Sequence, residues 1–338
     1  MKKIVGTIAA IALAASSAFA GVGIGSWGRA LWAPVQGDKN GVSTWEGISW
    51  GKGDSHVGIS IHGESENIGF NIDLDGDGGN ISGGDTACFW ASPFSWLTVK
   101  IGKVQDDTGR GNAGFGAQDW NRAYSAANFN EGLTFERFGN GTGGQAKGAI
   151  VKVTPIEGLW FIAAMDVQDN KEAEKTYLDN AQYGAGYTID GIGSIRAQYI
   201  GQTKKINAAF DLTAVDNLLV SVGAFIPVDD KKATTIGAYA RMNLDAITLH
   251  VGEKAVIDGS TFNNEAAVGV GVDLGNGLGV EADVRHETAN NGSLSFIGAI
   301  NKGLAGGSIG VGFQGKVSNL SGDAAFGWCV PVRITAAF

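Results

Sequence analysis

The last thirteen residues of the chain alternate strictly between two kinds of side chain. One set is apolar and consists of Phe326, Trp328, Val330, Val332, Ile334, Ala336 and Phe338. The intervening set is small or polar and consists of Gly327, Cys329, Pro331, Arg333, Thr335 and Ala337. Successive side chains of a β-strand point to opposite faces, so a strand here would have one apolar and one polar face. This pattern is typical of a strand that separates lipid from water.

The first twenty residues have the three-part composition of a secretory signal peptide. Lys2 and Lys3 supply the positive start, residues 4–14 the short apolar segment, and residues 18–20 the small-residue cleavage site. The sequence therefore predicts export and a mature chain that begins at Gly21. Removing Lys2 and Lys3 takes the formal net charge from −9 to −11. That charge disfavours nucleic acid as a partner.

The rest of the chain has the composition of many short strands and tight turns. Its longest uninterrupted apolar run has seven residues, Leu159–Met165, which is too short for a membrane-spanning helix. The 54 Gly, five Pro and 9 Trp favour an all-β fold. Short turns are predicted near residues 155–157, 190–191, 215–217, 243–245, 276–277 and 301–303. Longer polar stretches lie between them at residues 168–175, 229–232, 258–264 and 287–293.

Short turns at one end and longer loops at the other are typical of outer-membrane barrels. We therefore predict a transmembrane antiparallel β-barrel over residues 21–338, with short periplasmic turns and longer extracellular loops. Residues 157–338 would supply twelve strands and the N-terminal part six, which gives 18 strands, with 16 as the even-numbered alternative. An exported soluble β-sandwich shares the alternation. Aromatic residues near predicted strand ends, among them Trp27, and the terminal Phe338 favour the barrel.

The predicted outer loops differ in length. Residues 34–54 and 75–85 would form the first two, and residues 105–145, between the fifth and sixth strands, would form by far the longest. An insert of that length inside a compact domain is usually functional. Cys88 and Cys329 fall on non-adjacent strands, which predicts two free thiols.

The signal peptide, the strand layout, the long third loop and the C-terminal Phe338 together resemble the general porin family. The resemblance implies a passive channel for small hydrophilic solutes and ions in the bacterial outer membrane, narrowed by the third loop at residues 105–145. It also implies a homotrimer, contact with a lipopolysaccharide-type surface, and barrel-assembly machinery that recognises Phe338. No cofactor is implied. A count of 18 strands leaves room for the related sugar-selective porins.

Porin-like proteins oppose basic wall residues to acidic loop residues, and the resemblance implies the same arrangement here. The candidate loop carboxylates are Asp106, Asp107, Asp119, Glu131 and Glu136. The candidate wall cations are Arg29, Lys100, Arg196, Arg241, Arg285 and Arg333. The alternative is that these charges only keep the lumen and the loops hydrated. The loop aromatics Phe115, Trp120 and Tyr124 would either anchor the loop to the wall or contact sugar rings.

Two other sequence patterns indicate alternatives to a simple channel. Asp73, Asp75, Asp77 and Gly78 match the first half of a calcium-loop spacing, but the second half fails, which leaves a weak calcium site in an outer loop. The second pattern is catalytic, because His56, Ser60 and His62 would share one face of a strand. Polar residues that line a lumen explain that pattern without chemistry, so the sequence predicts no enzyme. An adhesive or structural surface protein is the remaining alternative.

Overall fold

The computed structural model describes residues 21–45, 55–77, 80–111, 137–141, 144–145, 147–166, 180–228 and 233–338. The predicted signal peptide lies outside these ranges. The first strands are β1 (Val22–Asp38), β2 (Gly41–Trp45), β3 (Ser55–Glu64), β4 (Ile68–Asp77), β5 (Asn80–Phe94), β6 (Leu97–Lys103), β7 (Asn140–Gly141), β8 (Gly144–Gln145), β9 (Lys147–Ile156) and β10 (Leu159–Asp166).

The second half of the chain continues as a regular meander of strands. They are β11 (Gln182–Ile189), β12 (Gly193–Ile200), β13 (Lys205–Leu212), β14 (Leu218–Pro227), β15 (Thr234–Leu244), β16 (Ile247–Asp258), β17 (Thr261–Gly275), β18 (Leu278–Glu287), β19 (Ser293–Leu304), β20 (Gly307–Ser318) and β21 (Ala325–Ala337). No helix in the described ranges is both long enough and apolar enough to cross a membrane.

The strands form one closed antiparallel sheet. Within the described residues it contains 19 strands, and a separate ribbon pairs β7 with β8. Both β2 and β3 pair with successive parts of β1 and share one position, so the barrel has 18 positions. The first strand, β1, also pairs with the last, β21, from Trp27 opposite Ala337 to Gly37 opposite Trp328, and this pairing closes the barrel. The predicted fold and the larger of the two strand counts are confirmed.

The barrel has apolar side chains outside and polar side chains inside. Val222 of β14 is 43% exposed, whereas its neighbour Ser221 is 0% exposed and faces the lumen. The same alternation recurs around the wall, with the apolar members of β21 outside and Cys329 and Arg333 inside. A water-soluble protein buries its apolar face, so an exposed apolar wall is the surface of a protein that contacts lipid.

Most of the predicted turns lie at one end of the barrel, the same end at which β1 begins and β21 finishes. Asn276 and Gly277 link β17 to β18 with φ values of 54° and 72°. Positive φ at both central residues matches the right-handed twist of the flanking strands, which is why Asn-Gly is favoured there. The turn predicted at residues 301–303 is wrong, because β19 continues to Leu304.

At the opposite end, several predicted loops are strands instead. The strands β4 and β5 extend through most of residues 75–85, and only Gly259 and Ser260 separate β16 from β17. Likewise, β1 continues to Asp38 and pairs with β2 inside the predicted first loop. These segments are polar, but their backbone groups still pair across the hairpin, so polarity alone misplaced the strand ends. Cys88 and Cys329 form no disulfide with each other, as predicted, and both are buried.

Candidate functional site: the lumen and the base of the third loop

The longest loop runs from β6 to β9, between the fifth and sixth positions of the barrel, as predicted. Its described parts are an outgoing limb, residues 104–111, a returning limb, residues 137–139, and the short β7–β8 ribbon that follows. Asp106 and Phe138 join the limbs, because each backbone N–H donates to the other residue's carbonyl oxygen at 3.0 Å. The two ends of the loop therefore lie side by side at its base.

Polar contacts attach the outgoing limb to the inner wall. The Lys100 ammonium of β6 lies 2.8 Å from Oδ2 of Asp106. The Lys152 ammonium of β9 donates to the Thr108 hydroxyl at 2.7 Å. Further along, Gly111 lies against the Arg196 guanidinium of β12, so close that a Cβ at this position would collide with it. The limb therefore follows the wall from β6 across to β12.

An apolar contact attaches the returning limb. The Phe138 side chain is 0% exposed and packs into a cluster of Cys88, Val104, Ile150, Ile162 and Ala164. Its ring lies over Gly184 of β11, where a Cβ would collide with it, and meets Trp160 edge-on at 6.2 Å. Beside it, the Gly139 N–H donates to the Gln182 side chain at 2.8 Å. This cluster is an apolar patch on an inner wall that also carries many charged and polar side chains.

The sequence reasoning missed Phe138, although a signal was present. The run Leu159–Met165 is apolar on both faces of β10. Ile150, at an inward-facing position of β9, is also apolar. A barrel strand that is apolar on its inner face needs a cover, and here the cover is Phe138. The predicted anchors Phe115, Trp120 and Tyr124 lie outside the described residues, as do Asp119, Glu131 and Glu136.

The base of the loop holds charges that pair locally. Arg137 lies 2.9 Å from Asp107 and 3.3 Å from Asp85 of β5, and it donates to the Gln105 side chain at 3.1 Å. Burial alone would raise the pKa of the Asp106 carboxyl. The Lys100 charge, with hydrogen bonds from Lys100 and Thr108, outweighs burial and lowers that pKa below its usual range.

The predicted wall cations occur on the inner face, but several have acidic partners within the wall. Arg196 contacts Asp211 of β13 through two nitrogens, at 2.7 and 3.3 Å. Arg285 contacts Asp283 of its own strand at 2.7 and 3.2 Å. Among the described residues, an ion pair joins the predicted wall cation Lys100 to the predicted loop carboxylate Asp106. Arg29, Arg241 and Arg333 lie on the inner phases of β1, β15 and β21.

The predicted calcium residues lie in a strand instead of an outer loop. Asp73 and Asp75 occupy alternate inner positions of β4, and the backbone of Asp77 ends that strand. Ser60 and Thr86 donate to the Asp73 carboxylate, and Nε2 of His56 lies 3.6 Å from Asp75. The described part of the chain contains no group of three or more His, Cys, Asp or Glu side chains that could hold a metal ion.

The contacts of Ser60 and His56 bear on the catalytic alternative. The Ser60 hydroxyl donates to Asp73 at 2.6 Å and lies 3.2 Å from the Asn71 amide oxygen. A serine nucleophile needs a base that accepts its proton, usually a histidine. His56 instead contacts Asp75, and its ring packs at a tilt of 38° against Trp27, with ring centroids 4.8 Å apart. Trp27 therefore lies inside the lumen and not in an outer aromatic girdle.

Comparison with known proteins finds similarity at the level of structure. No family model and no curated protein matches the sequence. Acinetobacter baumannii OccAB4 aligns with a TM-score of 0.62 and 10% identity, over 95% of this chain and 99% of that chain. Pseudomonas aeruginosa OccK2 (OpdF), solved in complex with glucuronate, gives 0.60 and 10%, over 94% and 98%. A mutant of the Rh. blastica porin gives 0.53 and 13%, over 94% and 100%. At these identities the likeness concerns the fold, which is that of porin barrels.

Proposed function

We propose that this protein is a porin, a passive channel for small hydrophilic solutes and ions across the bacterial outer membrane. The observation that supports this most is the polarity of the 18-position barrel: its outer wall is apolar and exposed, and its inner wall carries charged and polar side chains. Such a barrel is compatible with lipid outside and water inside. The structural likeness to porin barrels supports the same function.

The attachment of the third loop to the inner wall supports a channel in which this loop limits the width of the pore. Its two limbs are attached to the inner wall from β5 to β12 by Asp106, Thr108, Gly111 and Phe138. A loop held at its base in this way would narrow one side of the lumen. We propose that residues 105–145 set the size limit for solutes, with Asp106 and Asp107 at the base of the constriction.

The proposal includes the location and the partners. The exposed apolar wall suits the outer membrane, with lipopolysaccharide-type lipid around it and the assembly machinery acting on β21 and Phe338. A homotrimer is part of the same proposal, as is a function without catalysis. The second candidate function is a sugar-selective porin, which the 18-position barrel favours over a 16-strand general porin.

The test is single-channel current through purified, refolded protein in a planar lipid bilayer, with a salt gradient to give the reversal potential. Stable stepwise conductance is the expected result. Because Arg196 and Arg285 are paired within the wall, we expect weak ion selectivity, with a cation preference from the net charge of −11 that remains when Lys2 and Lys3 are removed from the total of −9. A folded barrel that inserts and stays closed would contradict the channel and favour an adhesive or structural surface protein.

A further inference from the structure

The outer wall of β15 to β18 carries two titratable side chains among apolar neighbours. Glu253 of β16 and His286 of β18 are both exposed. Their chain neighbours Lys254 and Arg285 are only 2% and 4% exposed and face the lumen, so Glu253 and His286 point outward. Ala266 of β17 lies between them in register, opposite both. Titratable side chains on a lipid-facing surface are rare and usually have a function, because lipid solvates charge poorly.

A shallow notch of about 550 Å³ lies in the outer wall beside this pair. Its lining is made of small and branched apolar residues, which include Ala238, Ala240, Val251, Ala266, Val268 and Val284. Val251 and Val268 are 55% and 58% exposed, so the notch is open to the outside of the barrel. Glu253 and His286 complete the lining. The notch therefore has an apolar part and a polar part, with open space above both.

The polar part of the notch lies toward the outer loops. Val251 precedes Glu253 by two residues on β16, and Val284 precedes His286 by two residues on β18. Both strands run from the end of the barrel with the short turns toward the opposite end. Short turns of outer-membrane barrels are periplasmic. In that orientation the valines contact the acyl chains of the outer leaflet, and Glu253 and His286 lie nearer to the lipid headgroups.

The Glu253 carboxylate is held toward β17. The side-chain amide of Asn264 donates to Oε1 of Glu253 at 2.5 Å. An ionised carboxylate has about four lone-pair sites, so Glu253 can accept further hydrogen bonds from a ligand. The backbones of β16 and β18 are two strand spacings apart, about 10 Å. Ala266 fills little of that width, which leaves room for a headgroup between the carboxylate and the His286 imidazole.

The two side chains favour a headgroup with both signs of charge. A carboxylate attracts a cation and repels an anion, and it accepts hydrogen bonds from an ammonium. An imidazole N–H can donate to a phosphate oxygen. A phospholipid with an ethanolamine headgroup has an ammonium, a phosphate close to it, and acyl chains for the apolar part. A choline headgroup has no N–H to donate, and a glycerol headgroup has no cation.

From this arrangement we propose that the notch of β15 to β18 binds one molecule of phosphatidylethanolamine. The ammonium contacts Glu253, the phosphate contacts His286, and an acyl chain packs on Val251 and Val268. The site belongs to the outer wall, so it goes beyond the proposed channel function and does not depend on conductance through the lumen.

Native mass spectrometry of the detergent-folded protein, titrated with single lipids, tests the proposal. We expect one bound phosphatidylethanolamine at concentrations at which phosphatidylcholine and phosphatidylglycerol do not bind. Glu253→Gln keeps the shape of the side chain and removes its charge. It should raise the half-saturating concentration of phosphatidylethanolamine roughly three- to tenfold, since one charge-assisted hydrogen bond is weakened. If Glu253→Gln does not fold, His286→Phe, which keeps a ring and removes the N–H donor, carries the same test.

Glu66→Gln is the matched control. Glu66 is an exposed glutamate in the turn between β3 and β4, so this variant removes the same charge away from the notch. It should leave lipid binding unchanged. Equal binding of all three lipids, tighter binding of phosphatidylglycerol, or unchanged binding by Glu253→Gln would overturn the proposal.

Two further readouts separate this proposal from others. An oligomer that carries no lipid and dissociates in Glu253→Gln would assign the notch to a second copy of the chain and overturn the lipid site. Single-channel conductance in salt should be the same for Glu253→Gln and the unmodified protein. Absence of conductance in both would contradict the proposed channel, whereas retained phosphatidylethanolamine would still support the lipid site.

Discussion

At the scale of single residues, Phe138 provides the apolar attachment of the third loop. Truncation to alanine empties the space between Ile150, Ile162 and Gly184 that the ring now fills. Removing a buried phenylalanine typically costs about 3–5 kcal/mol. We expect Phe138→Ala to loosen the base of the loop, which would appear as increased noise of the open-channel current and faster proteolysis between residues 105 and 145.

Phe161→Ala is the control for this prediction. Phe161 belongs to β10, as does Ile162, but its side chain is exposed on the outer wall. It should leave the channel noise and the proteolysis rate unchanged. If both variants behave like the unmodified protein, Phe138 does not hold the loop.

Asp106 makes the attachment of the outgoing limb sensitive to acid. Its pKa in the folded protein lies below the usual value of about 3.9 for an aspartate. Because this pKa is lowered, the ion pair with Lys100 stabilises the folded protein at pH values above the usual pKa of an aspartate. This stabilisation is lost as the pH falls through the lower pKa of the folded protein. We expect proteolysis of the loop by an acid-active protease to accelerate below about pH 4.

Two variants distinguish the loss of this ion pair from a general destabilisation of the protein by acid. Asp106→Asn should already show faster loop cleavage at neutral pH and a smaller further increase on acidification. Asp323→Asn, at an exposed carboxylate remote from the loop, should retain the full acid response. An identical acid response in Asp106→Asn would contradict the role of the Lys100–Asp106 pair.

At the scale of elements, the last strand closes the barrel through its backbone. Phe338 exchanges two hydrogen bonds of 2.8 Å with Ser26 of β1, while its side chain is 82% exposed. Because the ring contributes little to the folded barrel, Phe338→Ala should change the unfolding free energy in detergent by less than about 0.5 kcal/mol. The same variant should accumulate less in the outer membrane of cells if assembly recognises the ring. Equal accumulation would show that it does not.

At the scale of the whole molecule, the wall is apolar outside and polar inside. It should therefore tolerate an added charge on its inner face much better than on its outer face. Val222→Lys places a charge on the outer wall near the middle of β14. It should destabilise the barrel in lipid vesicles by about 2–4 kcal/mol, measured by urea titration. Thr248→Lys, on the inner face of β16, should cost much less because the charge stays in the lumen. Equal costs would contradict the assignment of the faces.

The sequence alone determined which face is inside for the strands that alternate in polarity, although not for β10, which is apolar on both faces. Alternation is a local property, so the pattern from Phe326 to Phe338 predicted the two faces of β21 without any knowledge of its neighbours. The position of the long loop also followed from counting strands. The limits of hairpins did not, because the pairing of β4 with β5 and of β16 with β17 continues through polar segments.

Only the tertiary structure decided which distant residues meet. Phe138 lies over Gly184, Gly111 lies against Arg196, and Arg196 pairs with Asp211 of the neighbouring strand. Each of these contacts depends on closure of the barrel and on the register between strands, which fix positions that local alternation leaves undefined. The sequence therefore determined a barrel with a polar lumen, and closure of that barrel decided which charges are opposed.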